Sequence, residues 1–321
     1  MRAIVLPGDG RVTVADVEEA APGPGEALVD VLAAGVCGTD LELARGYMGF
    51  RGVPGHEFVG VVRQVRSRAD RPLVGARVAG EINIGCEECR LCVEGMARHC
   101  PRRSVLGILG KPGAHATSLS LPVANLRAVP AGISDLEAVF IEPLAAAFEI
   151  AEQVRVERGD RVLVLGDGRL GLLAAQALAS RGARVTLAGR HEPKLETARA
   201  LGLEACRLPE TPTPDFDMVV EATGSAQGLS LALRFARPRG TVVMKSTCAG
   251  PTALEASQVV VNELTLVGSR CGRFEPAIEA LAAGAVKVLP LVTAELPLES
   301  GPEAFQRAAA PGAFKIVLRP A

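Results

Sequence analysis

Between Arg161 and Gln176 the chain reads Arg-Val-Leu-Val-Leu-Gly-Asp-Gly-Arg-Leu-Gly-Leu-Leu-Ala-Ala-Gln. An apolar run leads into glycines at 166, 168 and 171, and a run of helix formers follows. That succession is a strand, a tight turn and a helix of a parallel α/β sheet. Gly166 permits the turn, Gly168 lets backbone N–H groups approach a pyrophosphate, and Gly171 lets helix and strand pack closely. The helix N-terminus adds a favourable field for the phosphates. In isolation the pattern fits any glycine turn. In this context it predicts a dinucleotide site around Gly166, Asp167, Gly168, Arg169, Leu170 and Gly171.

The second strand, Arg184–Ala188, runs into Gly189-Arg190-His191. NAD-binding chains usually place Asp or Glu here, on the ribose 2′-hydroxyl. Gly189 leaves room for a 2′-phosphate and Arg190 can pair with it, so NADP is the expected cofactor. NAD stays possible if Arg190 is merely a solvated surface residue. Replacing Gly189 by Asp is expected to invert the preference. Helical and strand patterns then alternate: Lys194–Leu201, Asp217–Glu221, Leu229–Phe235, Gly240–Lys245, a mixed Thr252–Val261 and Leu264–Gly268. This predicts a doubly wound parallel sheet. Ala222, Thr223, Gly224, Lys245 and Ser269 close strands of that sheet, where they either meet the cofactor or hydrogen-bond within loops.

The N-terminal part is different. Short strand-like runs at Ala3–Leu6, Arg11–Asp16, Ala27–Leu32, Phe58–Val65, Arg77–Ala79, Leu119–Leu121 and Leu126–Val129 have no helical patterns between most of them. They predict a small antiparallel β-barrel. Inside this region Cys86, Cys89 and Cys92 are followed after seven residues by Cys100. Four thiolates at that spacing fit one tetrahedral zinc with no open position, a structural site. A four-iron cluster and disulfides are the alternatives, and disulfides fit poorly with a reducing compartment. His99 stands beside this run as a bystander.

Upstream, Gly35-Val-Cys37-Gly-Thr39-Asp40 is followed by Gly55-His56-Glu57. Cys37 and His56 are the soft thiolate and imidazole that zinc prefers. Asp40 can accept the second ring N–H of His56, and Thr39 carries a hydroxyl two residues from the thiolate. A buried free Cys and a structural His are the plain alternatives. Hydrophobic residues make up 48% of 321, so a large core can form. The net charge of −1 and 3% aromatics offer no basic face or stacking platform for nucleic acid. No signal-peptide pattern opens the chain and no uncharged apolar stretch is long enough to span a bilayer. A soluble, cytoplasmic protein without membrane partners is expected.

Taken together, Cys37-Gly-Thr-Asp, Gly55-His-Glu and the four-cysteine lobe resemble the zinc-dependent medium-chain alcohol dehydrogenases, with glucose, sorbitol and threonine dehydrogenases nearest in character. The resemblance covers essentially the whole chain. It implies a GroES-like barrel of residues 1–142 and 273–321, with the lobe at about 83–101, and a Rossmann domain of residues 143–272. It also implies two zincs per chain, a homodimer or homotetramer, and hydride transfer between a small secondary alcohol, polyol or sugar and NADP. In such relatives the Glu of Glu142-Pro-Leu-Ala is a ligand of the catalytic zinc beside Cys37 and His56. Glu142 also fits a plain helix-capping role. Thr39 would carry the proton away. Relatives often have His where this chain has Glu42, so Glu42 is left either to accept the proton or to bind the cofactor ribose. Glu57 is expected beside the site, as a neighbour of the ligands or a ligand that exchanges with water. The alternative is a medium-chain fold that binds NADPH without alcohol chemistry, or a thiol redox sensor built on the lobe.

Overall fold

The computed structural model describes residues 1–19, 21–208, 214–247 and 252–320. The chain divides into one unit of Met1–Glu142 with Leu291–Ala321, and a second of Pro143–Pro290. The first unit holds β1 (Arg2–Val5), β2 (Thr13–Asp16), β3 (Glu26–Gly35), α1 (Gly38–Ala44), β4 (Glu57–Val65), β5 (Arg77–Gly80), β6 (Asn83–Ile84), α2 (Arg90–Val93), β7 (Ser104–Leu106), β8 (Gly110–Lys111), β9 (Ser118–Pro122), β10 (Leu126–Ala128) and α3 (Asp135–Ala138). Helix α4 (Ile141–Gln153) starts in it and continues into the second.

The second unit holds β11 (Arg161–Leu165), α5 (Arg169–Ser180), β12 (Arg184–Gly189), α6 (Glu192–Ala200), β13 (Glu204–Arg207), β14 (Phe216–Glu221), α7 (Gly228–Phe235), β15 (Ala236–Met244), α8 (Ala256–Val261), β16 (Thr265–Gly268) and α9 (Phe274–Ala282). The chain ends in β17 (Val292–Pro297), α10 (Gly301–Ala308) and β18 (Lys315–Arg319).

In the first unit β10-β5-β4-β3-β18-β17 form one sheet, with β9 also paired to β3. The pairing is antiparallel except for β17 and β18, which run parallel. The last strand thus sits beside β3, with Val317 opposite Gly35 and Leu318 opposite Ala34. Chain start and chain end share a core: Ile4, Leu6, Val36, Leu43, Phe305, Ile316 and Leu318 are all buried together.

The second unit is a six-stranded parallel sheet in the order β13-β12-β11-β14-β15-β16. Strand order reverses between β11 and β14, which opens a crevice at their C-terminal ends. Strands β11 and β14 are almost wholly buried, as a sheet covered by helices on both faces requires. The doubly wound expectation holds. Edge strand β13 escapes a sequence reading because Glu-Ala-Cys-Arg has no clear apolar alternation.

The return to the first unit comes at Leu291, later than the 273 expected from the sequence. Local bonding accounts for this. Arg273 Nη2 and Nε each lie 2.9 Å from a Glu152 oxygen of α4. Gln176 of α5 accepts from the Lys287 amide at 2.9 Å and donates to the Lys287 carbonyl at 3.1 Å. The α9 segment is thereby held to the dinucleotide sheet's own helices. No helix among the described residues is long and apolar enough to cross a membrane.

Candidate metal and cofactor sites

Strand β3 ends at Gly35 and Cys37 caps helix α1, with extended backbone angles of φ −101° and ψ 160°. Asp40, three residues on and fully buried, turns back over that helix start. One of its oxygens accepts from the Cys37 amide at 2.7 Å. The other accepts from the Gly55 amide at 3.2 Å and lies 3.5 Å from His56 Nδ1. A single carboxylate thus fixes both segments that carry the proposed ligands. Burial works to raise the Asp40 carboxyl, but the charges of His56 and His115 and the hydrogen bonds from His56 and the Cys37 amide bring it down to about 2. It is an anion at every working pH.

The Cys37 sulfur, His56 ring and Glu57 carboxylate bring ligand atoms within 4.8 Å of one another. Thr39 Oγ1 is 3.8 Å from Cys37 Sγ. This donor set, one thiolate and one imidazole steadied by a buried carboxylate, fits zinc. Burial lowers the His56 ring, yet the negative charges of Asp40 and Cys37 outweigh it and raise its proton affinity. The site therefore draws positive charge, which a metal ion would provide in place of the proton.

Glu57 is not idle in this group. Strand β18 delivers Lys315 against it, both side chains fully buried, and the two are in direct contact. The Lys315 ammonium also stands 5.4 Å from the Phe140 ring centroid. Sequence reading placed Glu57 at the site and missed Lys315. It also missed His115, wholly buried, whose Nε2 lies 3.3 Å from the Gly35 carbonyl and 3.9 Å from Asp40 Oδ2. Burial pushes the His115 ring toward its neutral form.

Glu142 lies in the first turn of α4, half-buried, outside the group of Cys37, His56 and Glu57. Glu42 is exposed on α1 and pairs with Arg45 Nη1 at 2.6 Å, so the structure does not bring it to the metal ligands.

The lobe is a separate construction. Sulfur separations are 3.5 Å for Cys89–Cys92, 3.7 Å for Cys89–Cys100 and 4.0 Å for Cys86–Cys92. Four thiolates about 2.3 Å from a tetrahedral ion would stand about 3.8 Å apart. Disulfide sulfurs would be about 2 Å apart, so these pairs are not bridged. A four-iron cluster ties each thiolate to a different iron and spaces the sulfurs more widely. Backbone amides of Glu88 and Cys89 bring the Cys86 thiol down to about 6 against burial. The Arg102 guanidinium lies 3.2 Å from the Cys86 sulfur and offsets the thiolate charge.

Replacing Cys92 by Ser is expected to abolish zinc binding by these thiolates and cost several kcal/mol, since structural zinc binding is on the order of 10 kcal/mol of folding energy. Turnover of the surviving folded fraction stays near normal. An anomalous scattering measurement showing iron or no metal at these sulfurs would overturn the assignment.

In the second unit, Gly166 has φ +120°, and a side chain there would strike the Ala222 carbonyl. A side chain on Gly171 would strike the Gly166 carbonyl. Both glycines therefore allow close backbone approach, as the motif requires. Helix α5 starts after Gly168, with Arg169 and Leu170 in its first turn. A cavity of about 530 Å³ opens there, lined by Gly166, Asp167, Gly168, Gly189, Arg190, Ala222 and Thr223 among others.

Buried Glu221 organises the far wall. Its Oε1 accepts from Thr223 N at 2.8 Å and Thr223 Oγ1 at 2.6 Å. The Gly224 amide donates to Ser246 Oγ at 2.8 Å. Lys245, buried, donates to Ser269 Oγ at 3.0 Å and to the Arg270 carbonyl at 2.6 Å, tying the ends of β15 and β16. Cys206 and Cys271 belong to this unit and Cys248 lies outside the described residues.

Comparison with known proteins shows the family. Residues 23–131 match the alcohol dehydrogenase GroES-like domain and residues 170–285 match the zinc-binding dehydrogenase domain. The chain belongs to the zinc-dependent medium-chain alcohol dehydrogenases, oxidoreductases that act on CH–OH groups with a nicotinamide cofactor. A 2-dehydro-3-deoxy-L-galactonate 5-dehydrogenase from Pseudoalteromonas atlantica is 29% identical over 93% of this chain and 92% of its own. A zinc-binding dehydrogenase from Sinorhizobium meliloti 1021 bound to NADP is 28% identical, covers 99% of each chain and superposes with a TM-score of 0.89. An alcohol dehydrogenase from E. coli CFT073 with NADH bound is 26% identical, covers 99% of each and superposes with a TM-score of 0.93.

Proposed function

We propose that this protein catalyses reversible oxidation of a small secondary alcohol, polyol, sugar or sugar acid with NADP⁺ as hydride acceptor. The observation that carries the chemistry is the pairing of Cys37 and His56 under one buried carboxylate, Asp40, with Thr39 alongside. Zinc held by Cys37, His56 and Glu142 would supply the Lewis acid that makes the substrate hydroxyl easier to deprotonate. Glu57 is committed to Lys315, and taking it as the ligand would strand a buried ammonium. Glu142 is therefore the better third ligand. The Thr39 hydroxyl would relay the substrate's O–H proton, taking it up while giving its own away, and a bound nicotinamide would accept the hydride from the carbon that bears that oxygen. The sugar-acid substrate class rests on the galactonate relative.

The choice of NADP rests on the adenosine end of the cavity. Arg190, Lys194 and Arg234 line it, and the end of β12 carries Gly189 in place of an acid. A charge-assisted contact to a 2′-phosphate contributes about 1.5–3 kcal/mol, so NADPH should bind roughly tenfold to hundredfold tighter than NADH. Fluorescence titration of both reduced cofactors tests this. Equal affinities, or tighter NADH, would remove the NADP reading. An alcohol and aldose screen with both cofactors would then identify the substrate.

A further inference from the structure

The acid that is missing from the end of β12 is present one strand away. Asp167 sits in the glycine turn after β11, and its side chain lies across the end of β12, only 10% exposed. Its Oδ2 accepts from the Arg190 and His191 amides, each at 2.7 Å. His191 Nδ1 stands 3.1 and 3.0 Å from its two oxygens. A Cβ on Gly189 would overlap the Asp167 side chain. Gly189 is thus bare because Asp167 fills the space its side chain would take, which the sequence alone does not show.

We infer that Asp167 is the positioning residue that sets how this cavity treats the 2′ position of its dinucleotide. An acid that selects NAD offers its oxygens to the ribose hydroxyls. Here both oxygens face donors on Arg190 and His191 of the protein itself. The carboxylate holds the turn that carries the Arg190 guanidinium and His191 ring on the cavity wall, and its own charge is largely offset by those donors. This rests on the NADP reading for its direction. It also changes the meaning of Gly189→Asp. That substitution places a second carboxylate on top of Asp167, so it disrupts the turn and does not build a ribose acceptor.

The test is a double-mutant cycle on NADPH and NADH dissociation constants for the full-length protein. Asp167→Ala is expected to weaken NADPH by about tenfold while NADH changes by less than about threefold, within the range of coupled contacts. Gly189→Ala adds one methyl group and no charge, yet should produce the same selective loss. The double variant should be no worse than either single one. Asp167→Asn, which keeps one acceptor oxygen, should recover part of the loss. The chain has four histidines, so the His191 ring signal can be assigned by NMR, and it should shift in Asp167→Asn and Gly189→Ala alike. Gly189→Ala that leaves both the NADPH constant and the His191 signal unchanged, or losses that simply add, would overturn the inference. A wild-type preference for NADH would remove the NADP reading alone, since the coupling between positions 167 and 189 would still register in the NADPH constants and the His191 signal.

Discussion

Replacing Lys315 by Met is expected to destabilise the protein by about 3–5 kcal/mol, the cost of leaving one member of a buried ion pair alone. Glu57 and Lys315 are both fully buried and in contact. Without the ammonium, the Glu57 carboxylate would be left buried beside the Cys37 thiolate and the His56 ring, short of its ion-pair partner. Burial works against the Lys315 charge, while Cys37 and Asp40 hold it up. The balance brings the Lys315 ammonium down to about 8, so it still carries most of its charge near pH 7. Changing both partners, Lys315→Met with Glu57→Gln, should restore most of the loss because no lone charge is then buried. Denaturant unfolding at fixed zinc concentration measures both. A Lys315→Met variant within about 1 kcal/mol of wild type would mean that the pair does not hold this corner.

That pair also shows where sequence reading stops. Glu57 was visible beside His56, but its partner is 258 positions away and is brought in only by β18 pairing with β3. The dinucleotide turn was legible because its chemistry is backbone chemistry in consecutive residues, with Gly166 and Gly171 at the close approaches. The lobe was legible for a similar reason, since three of its sulfurs lie on one short loop. The role of Asp167 was not, because side-chain direction depends on the bare backbone of Gly189 on a neighbouring strand. Glu42 was expected in a proton relay or at the cofactor. The structure turns it outward to Arg45, as the helical spacing of three residues allows. The return point of the chain was set too early because the Gln176–Lys287 and Arg273–Glu152 bonds join segments far apart in sequence.

The second large effect concerns Glu142. The remaining described cysteines, Cys206 and Cys271, lie in the second unit, whereas Glu142 closes the first, which holds Cys37 and His56. With Cys37 and Glu142 ionised and His56 neutral, a zinc site of these three is formally neutral. On the proposed ligand set, Glu142→Ala takes away one of three protein ligands and should abolish both tight zinc binding there and alcohol oxidation. Cofactor binding and the lobe zinc should survive, because the glycine turn and the four cysteines are built from other segments.

Zinc counted per chain, alongside alcohol-dependent reduction of NADP⁺, tests the catalytic-zinc account most directly when done on wild type and Glu142→Ala together. Two zincs and turnover are expected for wild type, and one zinc, intact NADPH binding and no turnover for the variant. Two zincs with near-normal turnover in Glu142→Ala would contradict it and make Glu142 a helix cap, with Glu57 the next ligand to test.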